Sequence, residues 1–208
     1  MAKRLVIIGA GGHGKVAADI AEMMDCYDVI CFLDDAIEDD EVMGFSVVGS
    51  CEEYAKWKDK ADYFVAIGNS KTRQKWIDEL KDFGANVATL IHPNAVIGQD
   101  VFIGYGTIIM AGTVINPGCR IGNGVIINTC SSVDHDNEIG NYCHVSVGAH
   151  LAGTVTVGEH TMIGAGATVI NNVDIGEQCV IGAGAVVVKN IKGKGTYVGV
   201  PARKLVTK

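Results

Sequence analysis

Residues 91–109 read IHPNAVIGQDVFIGYGTII, and an aliphatic residue returns in them at every sixth position, as Ile91, Ile97, Ile103 and Ile109. The beat continues without an insertion through 115, 121, 127 and onward to Val187, and all seventeen positions are Ile, Val or Leu. Four residues after each stands a small side chain, such as Thr107, Thr113, Cys119, Ser131, Ala149 or Ala185, with Asn137 and Ile191 the only departures. An α-helical stripe returns every 3.6 residues and a half-buried strand alternates, so a period of six describes one short strand plus a corner. Three hexads close a triangular coil of 18 residues, with the aliphatic side chain inward, the small one beside a corner, and coils stacked at ~4.8 Å. Gly or Asn commonly follows the aliphatic residue, as at Gly98, Gly104, Asn116, Gly122, Gly140 and Gly158, and the sequence therefore predicts positive φ at this second position. Cys119, Cys143 and Cys179 fall in the small inward slot and read as core.

Upstream, residues 1–90 follow another grammar. Leu5 to Ile8 is a buried-strand pattern that runs into Gly9-Ala10-Gly11-Gly12-His13-Gly14 and a helical stretch from Lys15 to Met24. The glycines at 9, 11 and 14 fit the glycine-rich turn that presents backbone N–H groups and a helix N-terminus to phosphate. A second strand, Val29 to Leu33, ends in Asp34-Asp35, at about the ~20-residue offset where an acid meets a ribose hydroxyl. Helical patterns over 51–58 and 70–83 and strand patterns over 63–67 and 87–90 complete a small Rossmann-like α/β unit with a parallel sheet. It is too short for two mononucleotide halves, so a single nucleotide fits better than NAD. Gly68 ends a strand at the same sheet edge, and Lys71 could add a charge, although it also reads as an ordinary solvated helix residue. The domain organisation expected is a nucleotide-binding domain over 1–90 and a parallel β-helix with a basic tail over 91–208.

Composition narrows the function. The 208 residues carry a net charge of −7, which argues against a nucleic-acid partner. Residues 189–208 hold Lys189, Lys192, Lys194, Arg203, Lys204, Lys208 and no acid, which suits an anionic ligand or a solvated end. No apolar run reaches the ~20 residues of a membrane span, and no secretory signal is visible, so a cytoplasmic protein is expected. Seven unpaired cysteines without a CxxC spacing agree with reduced thiols.

Five of the six histidines lie in the repeat, none at an inward position. His135 sits in Val133-Asp134-His135-Asp136-Asn137-Glu138, the most acidic hexad. Flanking carboxylates can hold one tautomer and raise its basicity, which suits a general base near neutral pH. One coil on, 18 residues later, stands Gly153, which leaves the space over His135 open. His144 lies one and a half hexads from His135, so the two share a site only across subunits.

The glycine turn, the small α/β domain, the uninterrupted hexads and the ending Gly199-Val200-Pro201-Ala202 together resemble the sialic acid O-acetyltransferase and bacillosamine-pathway N-acetyltransferase family. The resemblance implies a left-handed parallel β-helix, a hand that the period does not give and that departs from the usual right-handed crossover. It also implies a homotrimer with sites between subunits, no metal, and acetyl transfer from acetyl-CoA to the 4-amino group of a nucleotide-linked deoxysugar, with UDP as the expected nucleotide. Carried onto this chain, Gly11, Gly12, His13, Asp34, Asp35 and Gly68 match nucleotide-sugar positions. His135 matches the general base, Asp136 the carboxylate that orients it, and Gly153 an N–H donor to the thioester carbonyl, while His144, Ala165 and Ala183 match positions that contact acetyl-CoA. Three alternatives stay open: an O-acetyltransferase acting on a sugar or serine hydroxyl, a zinc hydrolyase of the carbonic anhydrase type, whose ligand spacing the histidines do not match, and a non-catalytic sugar-nucleotide-binding assembly module.

Overall fold

The computed structural model describes residues 3–37 and 39–206. The chain divides into two compact units, Met1–Pro93 and Asn94–Lys208. In the first, strand β1 (Arg4–Ile8) leads into helix α1 (Gly12–Met23), then β2 (Val29–Leu33), a small hairpin of β3 (Glu41–Val42) and β4 (Phe45–Ser46), a 3-10 helix Cys51–Trp57, β5 (Asp62–Val65), helix α2 (Ser70–Asp82) and β6 (Leu90–Ile91). The sheet order is β2-β1-β5, all parallel, with Ile8 level with both Leu33 and Val65. Leu5 to Ile8, Phe32, Leu33, Phe64 and Val65 are buried, which explains unbroken apolar runs in place of alternation.

Three details differ from the sequence expectation. Helix α1 starts at Gly12 instead of Lys15, because the glycine turn is tight: a Cβ on Gly14 would stand 2.1 Å from the Gly9 carbonyl oxygen. The strand expected over 87–90 is a single bridge, Val87 to Tyr63, followed by β6. His92, expected to face outward in a hexad, is buried.

The second unit is a parallel β-solenoid of hexapeptide repeats, consistent with a left-handed β-helix. Its two-residue strands pair with partners 18 residues away: Val114 with Val96 and Ser132, Arg120 with Phe102 and Glu138, Ile126 with Ile108 and His144. Hexad positions one and five are buried from Ile115 through Val187. The last coil is followed by Gly195–Val198, parallel to Cys179–Ile181, and by Arg203–Lys204, antiparallel to it.

The corners are built otherwise than predicted. Positive φ falls at the fourth position of each hexad, without exception from Asp100 through Cys130, Asp136, Tyr142, Thr154, His160, Asn172 and Gln178 to Gly184. Left-handed backbone costs an L-residue about 1–2 kcal/mol, and here Asp, Cys, Tyr, Thr, His, Asn and Gln accept it alongside Gly. The second-position glycines serve close stacking instead. A Cβ on Gly158 would lie 2.5 Å from the Glu177 nitrogen of the next coil, and one on Gly140 would lie 2.8 Å from that of Glu159.

Inside the coil the small polar side chains close a second set of bonds. Thr107 Oγ1 donates to the Gly122 carbonyl at 2.8 Å and accepts from Val125 N–H at 3.0 Å. Thr161 repeats this with Gly176 and Cys179, also at 2.8 and 3.0 Å. A buried hydroxyl thus stays satisfied without interrupting the ladder.

Candidate active site

The corner at His135 follows the strand Ser132–Val133. Asp136 takes the left-handed position, φ 57°, and its Oδ2 lies 2.8 Å from His135 Nδ1. With Nδ1–H donating to that carboxylate, Nε2 is the nitrogen left to accept a proton. The Asp136 hydrogen bond, helped by the charges of Asp134 and Asp136, raises the His135 pKa above the ordinary histidine value. The imidazole stays reachable, 57% exposed. Asp134 Oδ1 accepts from Asn116 Nδ2 at 2.7 Å and from His135 N–H at 2.8 Å, and the Asn116 bond leads the effects that hold its carboxyl below the usual range.

Gly153 lies one coil on, as expected, but the space over it is not open. A Cβ there would stand 2.5 Å from His135 Nε2 and 2.6 Å from Cε1, so the missing side chain makes room for the imidazole itself. Thr154 N–H donates to the His135 carbonyl at 2.9 Å, while Gly153 N–H has no acceptor among the described residues. Beside the ring opens a cleft of about 320 Å³ lined by Asp134, His135, Ala152, Gly153, Thr154, Asn171 and Asn172.

His144 opens a strand on another face, level with Ile126 and Met162, and its Nε2 lies 3.1 Å from Asn128 Nδ2. His135 and His144 are therefore not brought together within one chain. Ala165 and Ala183 occupy equivalent exposed corner positions in successive coils. Gly166 and Gly184 follow them with open space where a Cβ would be, so this corner is a smooth ridge. Lys189, Lys192, Lys194, Arg203 and Lys204 are exposed, and Lys189, Arg203 and Lys204 line a cleft of about 300 Å³ with Tyr197. Lys208 lies outside the described residues.

In the first unit the sheet order sets three loops side by side at the carboxyl ends of β2, β1 and β5. Gly9 turns at φ 100° and donates to the Leu33 carbonyl. Gly11 caps α1, whose first turn carries no acid, and neither Gly11 nor Gly12 has an atom within 4 Å of an ideal Cβ. An open helix N-terminus with no acid in its first turn attracts anions. His13 sits edge-on to Phe64. Asp34 is committed to the backbone, accepting from Ala10 N–H with Oδ2 and from Ala36 and Ile37 N–H with Oδ1. Asp35 Oδ1 accepts from Cys51 N–H. Both acids thus shape the loops, and Asp35 remains exposed. Gly68 is open and Lys71 is exposed.

Sequence reasoning missed Arg73, Asn116, Asn128 and the side-chain role of Asn137. Arg73 is 1% exposed and donates from one terminal nitrogen to the Ile67 and Gly68 carbonyls, each at 2.8 Å. No sequence pattern marks it. Asn137 did carry a signal, being a polar amide in a slot that the other hexads fill with small or apolar residues. No group of three His, Cys, Asp or Glu side chains among the described residues is placed to hold a metal ion.

A sheet edge with an open glycine turn, joined in one chain to a hexapeptide coil whose corner carries a carboxylate-held histidine, defines a two-module class of protein. Family models match both modules: the PglD N-terminal domain over residues 4–80, and the bacterial transferase hexapeptide (six repeats) over 94–129 and 154–189. The chain belongs to the family that joins these modules, the hexapeptide-repeat relatives of the bacillosamine-pathway acetyltransferases. Among solved structures, the acetyltransferase domain of PglB from Neisseria gonorrhoeae FA1090 in complex with acetyl coenzyme A is similar with a TM-score of 0.96 at 37% identity, covering 99% of this chain and 100% of that one. PerB from Caulobacter crescentus, in complex with CoA and GDP-perosamine, is similar with a TM-score of 0.91 at 38% identity, covering 97% of each. UDP-N-acetylbacillosamine N-acetyltransferase of Bacillus subtilis (strain 168) is 35% identical over 51% of this chain and 50% of its own length. The match spans about half the length of the curated relatives. No helix among the described residues is long and apolar enough to cross a membrane.

Proposed function

We propose that the chain is an N-acetyltransferase that moves acetyl from acetyl-CoA to the 4-amino group of a nucleotide-linked amino-deoxysugar, with UDP as the first nucleotide to test. The observation that carries this reading is the His135 imidazole, held by Asp136 at Nδ1 and seated over Gly153, whose backbone N–H has no acceptor among the described residues. The relatives supply the reactants: one is bound to acetyl-CoA and another to CoA and GDP-perosamine.

In the proposed step the neutral amine attacks the thioester carbonyl and forms the C–N bond while His135 Nε2 takes its proton. The carbonyl oxygen gathers negative charge and accepts from Gly153 N–H, a kind of donor worth about 2.7–4 kcal/mol to the transition state. Collapse breaks the C–S bond, and the imidazolium returns its proton to the leaving thiolate. The products are an N-acetyl sugar and CoA thiol, and no acyl-enzyme forms. Gly11, Gly12, His13 and Gly68 take the nucleotide-linked sugar, Asp34 and Asp35 shape its loops, and Lys71 supplies charge. Ala165 and Ala183 form the track for the pantetheine arm, with the basic tail toward the CoA phosphates. His144 contacts acetyl-CoA on its own face, so a site that uses both histidines is completed by another subunit of a homotrimer.

The test is CoA-thiol release from acetyl-CoA with a panel of UDP-, GDP- and dTDP-linked 4-amino and hydroxy sugars. Turnover confined to amino sugars supports the proposal. Turnover on hydroxyl acceptors replaces it with O-acetylation, and binding of a sugar nucleotide with no thiol release from any panel member leaves a non-catalytic module.

A further inference from the structure

Asn137 fills a slot that the other hexads give to Thr, Cys, Ser, Ala or Val and, at the last, to Ile191, and it is fully buried. Its amide reaches three backbone groups. Nδ2 donates to the Asp134 carbonyl and, at 3.0 Å, to the Ala152 carbonyl, while Oδ1 accepts from Val155 N–H at 3.0 Å. Thr107 and Thr161 make the second and third of these bonds with a hydroxyl. Ser131, in the same slot, makes the bond to the carbonyl three residues back instead, to Asn128 at 2.6 Å; the amide of Asn137 makes that bond and the two onward bonds together.

Both carbonyls belong to peptides that matter. The Asp134 carbonyl and the His135 N–H form one peptide, and it is held on both sides: by Asn137 and by Cys119 Sγ at 2.9 Å on the carbonyl, by the Asp134 carboxylate on the N–H. The Ala152 carbonyl and the Gly153 N–H form another. A hydrogen bond accepted at a peptide carbonyl fixes the plane of that peptide and polarises its N–H. One buried side chain therefore ties the peptide that carries the imidazole to the peptide that offers the oxyanion donor, across the gap between two coils.

We propose that Asn137 is a positioning residue that sets His135 and Gly153 N–H against each other for acetyl transfer. This rests on the reading of His135 and Gly153 given above. Binding of acetyl-CoA does not need that alignment, whereas the transition state does.

Two variants separate alignment from folding. Asn137→Thr keeps the links to Ala152 and Val155 that Thr107 and Thr161 make elsewhere in the coil, and it releases only the Asp134 carbonyl. Asn137→Val releases all three. Partners that orient a metal's ligands typically contribute about 10–100-fold to activity; on that scale kcat is expected to fall roughly tenfold in the first and roughly a hundredfold in the second. KM for acetyl-CoA stays unchanged in both, and the melting temperature of Asn137→Thr stays at that of the parent. A Thr variant with parental kcat, or losses that follow melting temperature alone, would overturn the proposal. A readout without turnover accompanies the kinetics: in an NMR titration of the His135 ring, the midpoint is expected to move down toward an ordinary histidine in the Thr variant as the Asp136 contact loosens. If the parent acetylates no sugar nucleotide, the functional reading fails while the positioning claim stands or falls on this midpoint, and an unmoved midpoint refutes it.

Discussion

The coil and the amino-terminal unit place their chemistry by different rules. In the coil, the neighbours of any residue are the residues 18 positions away: Asn116 supports Asp134, and Gly153 seats His135. In the α/β unit, the turn after Gly9, the acids after Leu33 and the loop around Gly68 meet only because strand order is β2-β1-β5. Their separations in sequence carry no ruler. A substitution in the coil should therefore act along one ladder, whereas one in the α/β unit should act through the backbone of a loop.

The largest expected effect breaks the ladder at its reactive end. His135→Ala removes the proposed base, a role worth typically 10²–10⁴-fold, so kcat with saturating acetyl-CoA should drop by about a thousandfold. The ring is largely exposed, so the melting temperature should hold. Retention of near-parental turnover would remove His135 from the mechanism. The corresponding break in the α/β unit is Arg73→Met, which leaves the Ile67 and Gly68 carbonyls without a buried donor. A hydrogen bond from a charged donor contributes about 1.5–3 kcal/mol, so KM for the sugar nucleotide should rise roughly tenfold while KM for acetyl-CoA does not move. Equal changes in both constants would show that the loop is not a separate binding element.

The same contrast explains how much was legible beforehand. The coil, its rungs and the position of His135 below Gly153 follow from counting by six, because every hexad solves the same packing problem. Counting did not reveal what the small slots do with their hydrogen bonds. Asn137 was visible only as a departure and Asn116 only as one of the corner residues, since a side chain that reaches across coils makes bonds no period records. It also misplaced the strain, expecting positive φ at the glycines of position two. Those glycines answer steric pressure from the next coil, a contact between residues 19 apart such as Gly158 and Glu177, and φ depends on the corner alone. In the α/β unit the strands and the glycine turn were readable as local patterns. Arg73 was not, because its partners are carbonyls, and carbonyls have no sequence. The acids after Leu33 were found, but not that their carboxylates accept from backbone N–H groups while Asp35 stays exposed.

Stability sharpens the point about corners. Gly158→Ala forces a Cβ to within 2.5 Å of the Glu177 nitrogen, and overpacking of this sort costs about 1–3 kcal/mol. Gly166→Ala meets open space and only the left-handed φ of 65°, a strain that Cys130, Thr154 and His160 already carry. Chemical denaturation should therefore show the larger loss for Gly158→Ala. The reverse order would return the strain to the position the sequence first suggested.

The smallest effect tests the electrostatics of one rung. Asp136 is the first cause of the raised His135 pKa, and a raised pKa keeps the imidazole protonated, and useless as a base, to a higher pH than an ordinary histidine. The acid limb of kcat/KM should thus lie above the usual histidine range in the parent. Asp136→Asn keeps an acceptor for Nδ1–H but removes the charge, so the limb should move to lower pH while Asp134, still charged beside the ring, retains part of the elevation. A limb that stays in place would mean that the observed ionisation belongs to another group, such as the substrate amine. A limb that moves upward would contradict the sign of the Asp136 contribution and with it the tautomer on which Nε2 as the accepting nitrogen depends.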